Sequence, residues 1–322
     1  MQRSPNEMHR WGVILAGGDG TRLRALTRFV WGDDRPKQFC PLLGRRTLLA
    51  QTRLRIAACI LPSRTVFALR RAHEPFYSRE LEEVPPTQMV VQPSNRGTLP
   101  AILWSLLHVI QRDQHAAVAF FPSDHSYSNE EKFVDGVESA FDLTEVNSRS
   151  VILLGATPKQ PEIEYGWIEP GAAVASRFGH HLMPVKRFWE KPSCEDAEGL
   201  WAQGCLWNTF VMVGRANAFV EMIQRAVPDM YRAFEPILAL PNPEMEAEMM
   251  QSVYEKLPIA DFSREVLSVS AEMLAVARLG DVGWSDLGDP RRLLATLLKR
   301  RIENPWVTSR SCNRSDLVVG TS

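Results

Sequence analysis

An apolar run, Val13-Ile14-Leu15-Ala16, passes directly into Gly17-Gly18-Asp19-Gly20. This junction constrains the chain more than any other stretch. The run is long enough for one fully buried strand, and a strand buried on both faces belongs in a sheet covered by helices. The glycines tolerate positive φ and let a ligand approach the backbone closely. Successive amides in such a turn form a concave anion site. Arg22 adds fixed positive charge, as does Lys37 within Arg35-Pro36-Lys37-Gln38-Phe39. A strand ending in a cationic, amide-lined loop meets the needs of a nucleoside triphosphate. A Walker loop is excluded, because Gly20-Thr21-Arg22 stands where Gly-Lys-Ser/Thr is required. The dinucleotide fingerprint fails at Leu23, which is too large for close helix–strand packing. A glycine turn without a ligand is the plain alternative, and Arg22 with Pro36-Lys37 weighs against it.

Strand and helix patterns alternate about every 25 residues up to Gly155. Helical spacing marks 47–58, 99–110 and 130–141, with a polar helix over 73–83. Strands are expected at 65–69, 89–91, 116–121 and 150–154. This rhythm predicts βαβ units and an α/β, Rossmann-like mixed sheet, mainly parallel, with helices on both faces. Beyond Gly155 the rhythm loosens. Strands are expected at 165–169, 184–189, 205–213 and 273–279, and helices at 195–203, 217–226, 230–240, 245–254 and 291–300. The pattern predicts one domain over 1–302, with a second half (156–302) adding elements to one side of the sheet. From residue 303, serine, arginine and asparagine without periodicity predict a flexible tail to 322.

A net charge of −1 leaves no global field to recruit nucleic acid or an anionic membrane surface. The N-terminus lacks a signal-peptide core, and no apolar run approaches the roughly 18 residues of a membrane helix. Five scattered cysteines support neither a disulfide framework nor a zinc site. A cytoplasmic protein is expected, with a homodimer left open.

Ligands of open α/β sheets sit beyond the carboxyl ends of the strands, and four polar clusters fall at such ends. In Gln92-Pro93-Ser94-Asn95-Arg96-Gly97-Thr98, Asn95 and Arg96 are suited to a base edge or ribose, and Gly97 to a flat base. Capping of the next helix by Asn95 or Thr98 explains the segment equally well. Pro122-Ser123-Asp124-His125 sets a carboxylate directly after a buried strand. Glu190-Lys191-Pro192 ends a strand with an acid and a base, a pair that is often only a surface ion pair. Trp284-Ser285-Asp286-Leu287-Gly288 supplies a second carboxylate. Asp124 and Asp286 suit one Mg²⁺, an ion commonly held by one or two carboxylates with phosphate and water.

These motifs, with Tyr165-Gly166-Trp167-Ile168 and Leu206-Trp207-Asn208, occur in an order that resembles the sugar-1-phosphate nucleotidyltransferases. Among these the chain is most similar to the mannose-1-phosphate guanylyltransferases, over roughly residues 11–298. The resemblance implies a nucleotide-diphospho-sugar transferase fold and transfer of GMP from GTP to a sugar 1-phosphate, most simply α-D-mannose 1-phosphate. It implies nucleotide contacts from Gly17, Gly18, Gly20, Thr21, Arg96, Gly97 and Thr98 in the half up to about 155. Arg22, Lys37 and Lys191 carry the catalytic charge, with Asp124 and Asp286 on Mg²⁺. Gly166, Glu190, Lys191 and Asn208 face the sugar phosphate in the second half.

The residue types agree with that chemistry. A phosphate monoester has a second pKa near ~6, so the nucleophile is already ionised and needs no general base. Three departures from the family pattern stand out. Arg24-Ala25 replaces a frequent Trp-Pro, the stretch 29–35 is long, and Phe210 stands where glycine is usual, filling space beside the sugar. No appended β-helix or isomerase domain is expected. The alternatives are another nucleotide or sugar, or a nucleotide-sugar-binding regulatory protein without turnover.

Overall fold

Ten strands join in one mixed sheet in the computed structural model, which describes residues 8–175, 181–240 and 243–302. The first four, β1 (Arg10–Leu15), β2 (Thr65–Arg70), β3 (Met89–Gln92) and β4 (Ala117–Pro122), run parallel in the order β3-β2-β1-β4. Their side chains alternate between two cores. Val13 and Phe120 point to one face, Ile14 and Phe121 to the other. Both faces are therefore apolar, as a strand sandwiched between helices requires.

The connecting helices are α1 (Arg24–Trp31), α2 (Leu48–Ile56), α3 (Glu74–Tyr77), α4 (Thr98–Ile110) and α5 (Glu130–Val146). α4 packs in the core of Val13, and α2 and α5 in the core of Ile14. Caps mark the helix starts: Thr47 accepts from the Ala50 amide and Asn129 from that of Lys132. The helix expected over 73–83 is regular for only one turn. Conversely, the first three residues of the stretch 29–35 expected as loop are helical. α1 runs through Trp31 and stops because Gly32 takes the left-handed conformation at φ 79°, while Leu26 and Trp31 join a small core with Leu287 and Leu293.

The second half contains β5 (Val151–Ala156), β6 (Gly166–Pro170), β7 (Val174–Ala175), β8 (His181–Glu190), β9 (Leu206–Arg215) and β10 (Leu274–Gly280). β5 and β10 continue the parallel direction, and β8 and β9 run against it. These strands do more than extend one edge. The pairs β5–β10, β10–β8, β8–β6, β6–β9 and β9–β5 close on themselves into a ring. The closure comes from β9, which changes register against β5 near Gly155 and is bent at Phe210. Helices α6 (Cys194–Ala202), α7 (Ala216–Ala226), α8 (Pro228–Phe234), α9 (Pro243–Lys256), α10 (Phe262–Glu265) and α11 (Pro290–Arg300) complete the second half. Phe219 of α7 packs edge-on against Phe120 at 5.2 Å.

No helix among the described residues is long and apolar enough to cross a membrane. Among the described residues Cys40, Cys59, Cys194 and Cys205 form no disulfide. Cys312 and the tail expected from residue 303 lie outside the described residues.

Candidate active site

β1 carries the glycine turn to the carboxyl edge of the sheet, and β4 brings Asp124 beside it. The Ser123 amide donates to the Leu15 carbonyl at 3.2 Å and locks the two strand ends together. The turn is braced from behind by buried Gln38, whose Nε2 donates to the carbonyls of Ala16 (3.0 Å) and Gly18 (2.8 Å). Gly20 sits at φ +58°, and a Cβ there would lie 3.0 Å from the Lys37 amide nitrogen. Gly18 has nothing near its missing side chain and forms the open side of the turn.

Lys37 is buried at the centre of this arrangement. Its Nζ lies 3.2 Å from Asp124 Oδ2 and donates to the backbone carbonyls of Asp286 (2.7 Å) and Leu287 (3.1 Å). An ammonium has three N–H donors; the two carbonyls take two of them, and the charge itself faces Asp124. The loops bearing the two aspartates are stitched together by reciprocal backbone bonds between Ser126 and Ser285, at 2.8 and 2.9 Å.

The Asp286 carboxylate is heavily engaged. Oδ1 accepts from Tyr165 Oη (3.0 Å), the Gly288 amide (2.9 Å) and Arg292 Nη1 (3.1 Å). Oδ2 accepts from Arg292 (3.1 Å) and faces Arg22 at 3.9 Å. Burial opposes ionisation of Asp286, but Arg292, Lys37 and the Gly288 amide together hold it below the usual carboxylate range. His125 is kept neutral by burial, which lowers its pKa. Its Nδ1 accepts from Trp284 Nε1 at 3.2 Å, which leaves the Nε2 proton facing Asp124 Oδ1 at 3.9 Å.

Two spaces that share Asp124 open onto these groups. A polar pocket of about 210 Å³ is lined by Gly20, Thr21, Arg22, Lys37 and Asp124. A cleft of about 380 Å³ has Gly17, Gly18, Asn95, Gly97, Asp124 and Phe210 on its walls. The half-exposed Arg22 also pairs with Glu164 at 3.1 Å.

Gly166, Glu190 and Asn208 come together from β6, β8 and β9. A Cβ on Gly166 would lie 3.2 Å from Glu190 Oε2 and 3.4 Å from Asn208 Cβ. Burial, reinforced by Asp261, raises the Glu190 pKa. Lys191 follows at φ +48°, Phe210 bends β9 at φ +59°, and Leu287 follows Asp286 at φ +49°. Of the four described non-glycine residues at positive φ, only Arg301, an ordinary helix end, lies elsewhere. Backbone strain of this kind costs of order 1–3 kcal/mol per residue and gathers at functional sites.

The segment from Gln92 to Thr98 is drawn largely to the chain around Ala260. Arg96, expected near a base, sends Nε to the Tyr254 carbonyl (2.8 Å) and Nη2 to that of Glu255 (3.4 Å). These carbonyls lie in the last turn of α9, where helix acceptors lack partners. Thr98 Oγ1 accepts from the Phe262 amide at 2.8 Å and so serves α10 rather than its own helix. Gly97, at φ +88°, leaves room for the Ala260 carbonyl, which a Cβ would approach to 2.1 Å. Gly97 and Thr98 still line the cleft, while the Arg96 side chain does not.

Sequence reasoning missed two positioning residues. Asp19, inside the glycine turn, pairs with Arg70, faces His73 Nε2 at 3.4 Å and accepts from Asn95 Nδ2 at 2.7 Å. It ties the turn to the ends of β2 and β3; a carboxylate within a glycine turn expected to take an anion was the signal that a compensating cation must be near. Arg292 grips both Asp286 and Glu162 (3.0 Å). Asp289-Pro290, an N-cap followed by proline at the first helical position, announces the helix start that turns Arg292 back onto Asp286.

The donor set fits a hard divalent cation. Asp124 lines both spaces with Lys37 as its close cationic partner, and Asp286 Oδ2, which accepts from Arg292, faces Arg22 at 3.9 Å. Among the described residues no group of three or more His, Cys, Asp or Glu side chains is gathered for a metal. Two carboxylates, completed by phosphate oxygens and water, suit Mg²⁺ in particular.

The mixed sheet and the loops at its strand ends define an α/β protein of the nucleotidyltransferase fold. Residues 11–301 match the family described as Nucleotidyl transferase, and the chain belongs to that family. It is 27% identical over 298 residues to mannose-1-phosphate guanylyltransferase 2 of Escherichia coli O157:H7, covering 90% of this chain and 60% of that protein. It is 29% identical over 288 residues to xanthan biosynthesis protein XanB of Xanthomonas campestris pv. campestris, covering 88% and 58%. The chain thus spans about three-fifths of the length of these curated relatives. A crystal structure described as a mannose-1-phosphate geranyltransferase from Thermus thermophilus superimposes with a TM-score of 0.77. It is 27% identical and covers 92% of this chain and 81% of that one.

Proposed function

We propose that the chain transfers GMP from GTP to α-D-mannose 1-phosphate, forming GDP-mannose and pyrophosphate. One observation carries this reading: Gly20 at the end of the glycine turn, Arg22, Lys37 and Asp124 line a single polar pocket. The name of the 27% identical Escherichia coli O157:H7 relative favours guanine and mannose.

In this reading an oxygen of the sugar phosphate attacks the α-phosphorus of GTP. A new P–O bond forms, the bond from the α-phosphorus to the bridging oxygen breaks, and its electrons leave on pyrophosphate. The nucleophile is already an anion, so the chain's work is to hold two anions in line and offset their repulsion. The amides from Gly17 to Gly20, with Thr21 and Arg22, hold the triphosphate, and Lys37 and Arg22 meet the charge gathering on pyrophosphate. Gly97 and Thr98 lie along the base, with Arg96 acting through the loop it anchors. Lys191, Glu190, Asn208 and Gly166 orient the sugar phosphate. Asp124 and Asp286 would hold Mg²⁺, which when bound would supply further positive charge to the phosphates.

Pyrophosphate release, measured with each of the four common nucleoside triphosphates against a panel of sugar 1-phosphates, tests the proposal. GTP with mannose 1-phosphate is expected to give the highest kcat/KM. Nucleotide binding without product from any pair would instead support a regulatory protein without turnover.

A further inference from the structure

A third cavity, of about 250 Å³, lies between α11 and the β5–β6 connection, and none of its lining residues is shared with the cleft or the polar pocket. One wall is aromatic. Tyr165 lies 5.1 Å from Trp207 and 4.9 Å from Trp284 between ring centroids. The buried Trp207 Nε1 has no hydrogen-bond partner among the described residues. The lining also carries four cationic residues, Lys159, Lys299, Arg300 and Arg292, among neutral ones. Glu162 is the one acidic lining residue, and Arg292 already holds it at 3.0 Å.

The lysines are the telling feature. Lys159 and Lys299 both line this space, and the nearness of the second ammonium, ahead of burial, lowers the Lys159 pKa. The acid paired with Lys159, Asp281, stands 3.9 Å away with 76% of its side chain exposed. Two like charges in contact disfavour each other, and an anion between them converts that repulsion into binding energy. Arg300, fixed by Ser126 Oγ at 3.0 Å, lines the same space.

The geometry points to a second ligand site here, one that takes a small phosphate monoester. Its phosphate lies among Lys159, Lys299 and Arg300, and its polar body lies against Trp284 and Trp207. The site stands apart from the reaction proposed above and holds whatever that reaction proves to be. It also borders the first site: Trp284 donates to His125, and Arg292 grips Asp286.

The test is calorimetric titration of the full chain with glucose 6-phosphate and, separately, with inorganic phosphate. The polar pocket also attracts phosphate, so each titration is repeated in Arg22→Ala and in Lys159→Met/Lys299→Met, which keeps the aliphatic stems. Glucose 6-phosphate binding is expected to survive Arg22→Ala and to weaken by about tenfold or more in the double variant. Lys299→Arg is expected to retain it. Should the double variant fail to fold by near-UV circular dichroism, Lys299→Met alone carries the same expectation. Binding that is lost in Arg22→Ala but kept without the lysines overturns the assignment, as does no binding at millimolar concentration. Equal affinity for inorganic phosphate overturns the monoester reading.

Discussion

Lys37 and Asp124 meet at 3.2 Å beneath the glycine turn, and the same lysine binds the backbone carbonyl of Asp286 at 2.7 Å. One buried ammonium therefore sets the distance between the turn and both aspartate loops. Lys37→Met removes that charge and leaves a carboxylate and two carbonyls without their donor. Turnover is expected to fall on the order of 10²–10³-fold. Stability is expected to fall by about 1–3 kcal/mol, because buried acceptors lose their partner. Steady-state pyrophosphate release and urea unfolding measure the two effects. Lys37→Arg is not expected to restore turnover, since a planar fork does not fit where a point charge meets three acceptors.

Gly97 holds the cleft wall against the chain around Ala260. A side chain there meets the Ala260 carbonyl at 2.1 Å, in a backbone conformation of φ +88° that L-residues rarely adopt. Gly97→Ala is expected to cost at least about 2 kcal/mol and to raise the KM for the nucleotide more than it lowers kcat. Unchanged unfolding and unchanged KM would contradict this account of the wall.

His73 gives the fold a pH dependence of definite sign. Burial, with the charge of Arg70, lowers its pKa from 6.5 to about 4. The unfolded chain therefore binds more protons than the native one between about pH 6.5 and about pH 4. Stability is fully present above the upper value and declines as pH falls through that window. Urea midpoints taken across this range should fall with pH in the wild type. They should fall less in His73→Gln, whose side chain does not titrate.

The sheet was legible because its strands are unbroken apolar runs between helical patterns, and β1 and β4 need no distant partner to be recognised. Loop chemistry was less so. Nothing local reveals that Arg96 turns to the end of α9 or that Gly97 makes room for Ala260, since both depend on chain more than 150 positions away. α1 was hidden because its apolar side faces a minor core shared with α11 rather than the main sheet. The ring closure at Phe210 depends on a register change between β5 and β9, and no pattern in either strand alone encodes it.

Asp124→Asn tests the central claim most directly. The substitution keeps the size of the side chain and removes the charge that faces Lys37 and the proposed metal position. With GTP binding followed by calorimetry and pyrophosphate by a coupled assay, turnover is expected to drop by roughly 10²–10³-fold while GTP affinity largely survives. Full turnover in Asp124→Asn would contradict the account, because catalysis would then proceed without the carboxylate around which the site is built.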